Sequence, residues 1–403
     1  MKPESRSATV KPVLAFAFLL GLATFATPRA QAQTFSVIHN FTGGSDGGNP
    51  LAGFAIDAAG ILYGTTNAGG ASGAGTVFKL TERGTEVVLH NFTGGTDGAN
   101  PEASLVIDAA SNIYGTTIAG GASGAGTVFK VGRYGKETVL YSFTGGTDGA
   151  KPEAALTMDA AGNLYGTTTA GGSSGNGTVF KLVAPKKGWK WKEKVLYSFG
   201  SGTDGTIPVA GVTFDAAGNI YGTTSAGGSY GYGTVFQLKP SKSGWTETIL
   251  HNFQDSSDGA VPYAGLVFDG SGNLYGAATE GGEGANVGGT IFEMSPSSSG
   301  WTFTVLYSLP GWGISGTFRT PIVDASGNLY ATTHCDGANN AGTVYELKPS
   351  SSSWTYTSFH VFTGGSDGLY SFSNLVVDKH GNLYGTTNQG GASGSGVVFK
   401  IKP

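Results

Sequence analysis

A phrase of the form Asn-Leu-Tyr-Gly-Thr-Thr returns seven times along the chain, each time behind an Asp and ahead of a Gly-rich stretch. Its tyrosines are Tyr63, Tyr114, Tyr165, Tyr221, Tyr275, Tyr330 and Tyr384, spaced by 51, 51, 56, 54, 55 and 54 residues. Short strands repeated at a period of about 40–50 residues build a β-propeller, one four-stranded blade per repeat. The sequence therefore predicts an all-β fold, a seven-bladed propeller forming one domain over residues 33–403. A phrase shared by every unit describes how blades are built and says little about function.

The third unit shows the blade in outline. Runs rich in β-branched and aromatic residues predict strands at Ala154–Asp159, Asn163–Thr168, Thr178–Leu182 and Glu193–Phe199, with Gly, Asn and Asp between them. The Asp-x-x-Gly turn explains itself, because Asp accepts from backbone amides and Gly tolerates positive φ. Asp57, Asp108, Asp159, Asp215, Asp269, Asp324 and Asp378 are accordingly read as structural. Fourth strands begin near Phe35, Glu86, Glu137, Glu193, Glu247, Phe303 and Tyr356, so the first precedes the first complete repeat and the seventh repeat stops after its third strand. The N-terminal strand is thus expected to complete the last blade, closing the ring and covering its open edge.

Residues 1–32 read as a secretory signal: Lys2, Arg6 and Lys11, then an apolar run Val13–Ala26, then Ala30-Gln31-Ala32 as a cleavage site. The run of 14 is shorter than the roughly 20 residues a membrane span needs, so a soluble, exported, monomeric product cleaved after Ala32 is expected, secreted, periplasmic or held at the cell surface. That segment carries a net charge of +3, which leaves the remainder of a chain of formal charge −4 more acidic still. An acidic body argues against nucleic-acid partners. Cys335 is the single cysteine, so no disulfide can form within the chain.

Strand order puts the fourth-to-first and second-to-third connections on one face. Asp46, Asp97, Asp148, Asp204, Asp258 and Asp367 fall at equivalent points there, each followed by Gly. They read as turn formers, with a ring of oxygen ligands for Ca²⁺ or for sugar hydroxyls as the alternative; the sequence demands no metal or cofactor. His39, His90, His251 and His360 share a position with Tyr141, Tyr197 and Tyr307, which marks a packing site with a polar tip and not a metal ligand. Trp189, Trp245, Trp301 and Trp354 recur ahead of fourth strands.

Departures from the repeat carry more. The innermost positions read Leu51, Glu102, Glu153, Val209, Tyr263, Phe318, Phe372, followed by Ala at five of the next seven and by Arg319 and Ser373 at the others. Small residues suit strands crowding a channel. Glu102 and Glu153, with Arg319 and Asn374 opposite, are expected to form a polar side of its mouth, and Tyr263, Phe318 and Phe372 an apolar side. Blade six adds Trp312, His334 and Asp336 where the pattern of other blades fails. These ten residues are the candidate ligand-binding set.

The joined motif, Asp-x-x-Gly-Asn-Leu-Tyr-Gly-Thr-Thr followed by Gly-Gly and Gly-Thr-Val-Phe-Lys-Leu, resembles the GloVer (Gloeobacter/Verrucomicrobia-type) tandem-repeat family over residues 35–403. The resemblance implies exported proteins with varied C-terminal anchors and no established activity; no apolar tail precedes Pro403 here. The Asp-x-x-Gly-Asn-Leu-Tyr portion is similar, more distantly, to NHL and SMP-30-like propellers. The expectation is a non-catalytic propeller that binds glycan or protein through its Gly/Asp-rich face. Two alternatives stand beside it: a cation-dependent hydrolase or lactonase with its site at the channel mouth, and a structural component of the cell envelope.

Overall fold

Every repeat folds into a four-stranded antiparallel sheet, and there are seven such sheets among the described residues of this computed structural model. The structure describes residues 33–402 apart from 187–188, 201, 243, 285–286, 312–314 and 352. The segment expected to be a secretory signal, with its expected cleavage site, and Trp312 lie outside the described residues. Gln33–Pro403 forms one compact unit, and no helix occurs among the described residues.

In the third blade the strands are Thr157–Met158, Leu164–Thr168, Thr178–Val183 and Lys192–Ser198, in that order from the axis outward. The innermost regular strand is shorter than the expected Ala154–Asp159. The reason is that the carbonyl of Ala154 is taken by Thr116 of the preceding blade, not by its own sheet. The seventh blade is completed by the N-terminal strand, as the strand offset predicts. Thr34–Asn40 pairs antiparallel with Val397–Lys402, from Thr34 opposite Lys402 to Asn40 opposite Val397, with a bulge between Val37 and His39.

Each residue of the repeated phrase has a mechanical role. All seven tyrosine hydroxyls donate to the turn aspartate six residues before them, at 2.9–3.2 Å. The same carboxylates accept backbone N–H groups across the turn, as Asp378 does from His380 and Asn382. Burial opposes ionisation of Asp378, but these bonds outweigh it and hold the carboxyl below its usual range. Gly166 lies under Phe180, where a Cβ would come within 2.7 Å of the ring. The first threonine reaches out of its blade. Thr65, Thr116, Thr167, Thr223, Thr332 and Thr386 each donate to an inner-segment carbonyl of the next blade, Thr386 crossing from the last blade to Ala52 of the first. Blade five has Ala277 at this position, and the segment that it faces carries Arg319.

Apolar contacts follow the same seams. Phe92 meets Phe129, Phe143 meets Phe180 and Phe199 meets Phe236, edge to face at 5.1–5.2 Å. In the third blade the recurrent tryptophan position belongs to Trp191, which packs on Tyr114, while Trp189 is exposed.

The two loop types expected on one face do meet there. Gly48 bridges Ala68, Ala99 bridges Ala119, and Ala150 bridges Ala170. The next residue in each case, Asn49, Asn100 or Lys151, has positive φ, as have the equivalent Ile207, Val261 and Tyr370. That conformation aims the N–H backwards onto a carbonyl of the preceding blade, for example Ile207 onto Asn176 at 3.0 Å. An L residue is strained there, a β-branched one most. At the asparagine copies, where the strain is smaller, the side chain adds a bond, Asn100 Nδ2 to the Asn67 carbonyl at 3.0 Å. Ile207 is 42% exposed and so loses little packing if replaced. Ile207→Asn is expected to stabilise the protein by about 1 kcal/mol in chemical denaturation; a loss of stability would show that the side chain does more than tolerate its turn.

Candidate binding site at the channel mouth

Inward-facing residues of all seven blades enclose a cavity of about 260 Å³, lined by Leu51, Glu102, Glu153, Val209, Tyr263, Phe318, Arg319 and Phe372. Six of the ten sequence candidates therefore share one cavity. Arg319 dominates its geometry. Its Nε donates to the Phe372 carbonyl at 3.1 Å, and one terminal nitrogen donates to the carbonyls of Leu51 at 3.2 Å and Glu102 at 3.1 Å. One guanidinium thus spans blades six, seven, one and two. Below it lies a second cavity of about 200 Å³, lined among others by Ser104, Ala154, Ala210 and Asn374.

Asn374 belongs to that deeper cavity and not to the mouth. Its Oδ1 accepts from Ser104 at 3.2 Å and its Nδ2 donates to the Thr320 carbonyl at 3.1 Å. His334 packs against the mouth rings, 4.1 Å from Phe372 and 5.2 Å from Phe318 between centroids. Burial pushes its pKa down to about 4, so it is neutral near pH 7, and its Nδ1 has no hydrogen-bond partner. Asp336 lies elsewhere. It is buried, accepts from Thr333 Oγ1, and lines a separate cavity of about 340 Å³ with Asn340 and Tyr356. Sequence position places it beside His334, but only His334 packs against the mouth rings.

The mouth has two chemically distinct walls. On one, Glu102 Oε1 accepts from Asn67 Nδ2 and Glu153 Oε1 from Thr169 Oγ1, both at 3.0 Å. Burial and then the charge of Glu153 raise the pKa of Glu102, against the pull of Arg319 and Asn67. Two carboxyl groups share a single guanidinium, which leaves the wall with an acceptor in excess of what Arg319 neutralises. The other wall is aromatic: Tyr263 and Phe318 at 5.3 Å, Phe318 and Phe372 at 5.0 Å.

The rim aspartates turn inward. Asp97 accepts the Thr93 N–H at 2.9 Å and the Thr93 hydroxyl, closing its own turn, and Asp46, Asp148 and Asp367 repeat this. Their second role is toward the fourth-strand rings. Tyr141 donates to Asp148 at 3.0 Å and Tyr197 to Asp204 at 3.1 Å, while His251 and His360 Nε2 lie 3.0 and 2.9 Å from Asp258 and Asp367. A third residue completes each seam between blades, and the sequence reading passed over it. It is Phe, Glu, Glu, Glu, Glu, Phe and Tyr at positions 35, 86, 137, 193, 247, 303 and 356. The signal was present, since these are the first residues of the fourth strands.

Where this residue is aromatic, it stacks on the ring: Phe303 on His251 at 3.7 Å, Phe35 on His360 at 3.6 Å, Tyr356 on Tyr307 at 5.3 Å. Where it is Glu, one buried carboxyl oxygen has no hydrogen-bond partner in any of the four copies. Burial, then the nearby aspartate, pushes Glu137 and Glu193 up to about 7 and Glu247 up to about 8. His39, Asp46 and Glu86 form the one group of metal-type donors among the described residues whose atoms all lie within 4.8 Å of one another.

The repeat model of the Gloeobacter/Verrucomicrobia type matches residues 23–228 and 213–403. The chain belongs to the Gloeobacter/Verrucomicrobia repeat family. No curated protein matches it in sequence. Among solved structures, it is similar to the extracellular domain of a provisionally assigned one-component system from B. thetaiotaomicron, at 11% identity and a TM-score of 0.60, covering 91% of this chain and 40% of that one. It is also similar to a provisionally assigned 6-phosphogluconolactonase from Bacteroides uniformis, at 15% identity and a TM-score of 0.51, covering 77% and 84%. At these identities the likeness is one of fold, and it extends the distant resemblance to lactonase-type propellers no further.

The seam glutamates of this Gloeobacter/Verrucomicrobia repeat protein give a test at a seam that has no histidine. A carboxyl whose folded pKa exceeds its unfolded value stabilises fully below the unfolded pKa, and that contribution is lost as pH rises through the folded one. For Glu193 the window runs from about 4.5 to about 7. Glu193→Gln is therefore expected to gain stability relative to the parent protein as pH is raised from 5 to 8, followed by urea denaturation. A difference that stays constant over that range would contradict a proton held at the seam.

Proposed function

We propose that the protein is an exported, non-catalytic propeller, acting as a monomer, that binds the end of a glycan chain in its channel mouth on the Gly/Asp-rich loop face. The observation that carries this reading is the pairing of two unlike walls in one cavity of about 260 Å³. A sugar ring is amphipathic. Its C–H faces lie well against the faces of Tyr263, Phe318 and Phe372, and its hydroxyls donate to carboxylate acceptors such as Glu102 and Glu153. A largely apolar cavity with a few convergent polar groups is the usual form of a small-ligand site.

The structure gives no comparable support to a cation-dependent hydrolase at this place. A metal ion at the mouth would sit in the same cavity as the Arg319 guanidinium, and like charges at such range repel. Calcium is not required by the present reading. Export, which would bring the protein to a glycan ligand, is what the expected signal in residues 1–32 implies.

Screening the purified protein on a glycan array, with titration of any hit, tests the proposal. Glu153→Gln and Phe372→Ala are each expected to weaken binding at least about tenfold, a loss of about 1.4 kcal/mol, with the melting temperature little changed. Binding that survives both substitutions would place the site elsewhere, and retention of peptides but no glycan would favour a protein ligand.

A further inference from the structure

The seven seams between blades provide an internal comparison. Each seam with a described donor set pairs a fourth-strand ring with a rim aspartate, and the third residue varies. At the His251 and His360 seams that residue is Phe, and the histidine Nε2 lies 3.0 and 2.9 Å from its aspartate. At the His39 and His90 seams it is Glu; the buried His90 Nε2 lies 3.3 Å from Asp97 Oδ2, whereas the buried His39 Nε2 has no hydrogen-bond partner. The imidazole therefore stands beside its aspartate at three of the four histidine seams, and at the His39 seam its Nε2 is left open. Glu86 Oε1 is likewise sealed from solvent and unpartnered, while its Oε2 is the oxygen that approaches His39 Nε2.

At the seam between the last blade and the first, the open atoms converge. His39 Nε2 lies 3.9 Å from Glu86 Oε2, and one donor atom each from His39, Asp46 and Glu86 falls within a 4.8 Å set. The side chains of His39 and Glu86 keep only 15% and 11% of their exposure. Asp46 spends one lone pair of each oxygen on Thr42, and a carboxylate has further lone pairs to offer. The set faces inward because the bulge at Ile38 falls immediately before the ring residue, and bulges re-aim side chains.

We propose that this ring-closing seam is a binding site for one divalent transition-metal cation of the zinc type, held by His39 Nε2 and one oxygen each of Asp46 and Glu86. One imidazole and two carboxylates suit such an ion. Ligand bonds of about 2.0–2.2 Å place donor atoms about 3–3.5 Å apart, so the existing set needs a contraction of less than about 1.5 Å, and water supplies the fourth position. The role assigned to His39 departs from the sequence reading of that position as packing alone. The ion would join the N-terminal strand, through His39, to the outer strand of the first blade, through Glu86. This site is separate from the channel mouth and does not rest on the glycan reading.

The test uses tag-free protein, depleted of metal by dialysis against chelator and titrated with zinc sulfate, with bound metal counted by elemental analysis. One tight equivalent is expected, together with a zinc-dependent rise in melting temperature. Glu86→Phe recreates the stack already present at His251 and His360, so it is expected to fold normally without zinc and to lose zinc affinity at least about tenfold. Glu247→Phe makes the same change at a seam whose ring is Tyr197, and it is expected to leave binding intact. Cobalt substituted for zinc is expected to give a tetrahedral absorption band that Glu86→Phe abolishes. No saturable zinc uptake by the parent protein, or uptake unchanged in a folded Glu86→Phe variant, would overturn the proposal.

Discussion

The ladder between Thr34–Asn40 and Val397–Lys402 is the contact on which the rest of the molecule depends. Without it the last blade would present an unpaired edge and the ring would have two free ends. With it, the first and seventh blades become neighbours, and Thr386 can reach the carbonyl of Ala52 as its counterparts do elsewhere. Arg319 exploits the same closure. Its three hydrogen bonds run to carbonyls of blades seven, one and two, so a single side chain bridges the place where the two ends of the chain meet. In a protein with one cysteine and no intrachain disulfide, such contacts must supply the restraint that crosslinks provide in many exported proteins.

Scaffold and site separate cleanly along the chain. The tyrosine closes its own turn, the glycine admits a phenylalanine ring, and the first threonine ties each blade to the next. None of these groups is left over for a ligand. The mouth is built from positions at which the repeat allows variation, and its strongest departure coincides with a missing tie. Ala277 cannot donate as its threonine counterparts do, and the segment opposite it carries Arg319 instead of alanine. The guanidinium restores cohesion there by binding carbonyls farther round the ring.

Much of this was legible in the sequence because a repeat fixes radial position. Blade count, the N-terminal offset and the common face of the two loop types all follow from spacing. So does the meeting of Glu102, Glu153, Tyr263, Phe318, Arg319 and Phe372. Spacing does not fix height along the channel or side-chain direction. Asn374 lies below Arg319, and Asp336 lines a separate cavity while His334 packs on the mouth rings, because the chain bends at His334 and Cys335 and strand alternation does not apply there. The seam glutamates were hidden for a different reason. The repeat aligns Glu86 and Phe303 as strand starts, and only the structure shows that this position meets the fourth-strand ring of the neighbouring blade.

Ring closure is the condition for both the mouth and the seam site, so the most direct measurement is thermal unfolding of the chain begun at residue 42 beside the chain begun at residue 33. Removal of the closing strand is expected to lower the melting temperature by at least about 10 °C, with aggregation through the exposed strand Val397–Lys402. A shortened chain that stays monodisperse and melts within about 2 °C of the longer one would contradict the account.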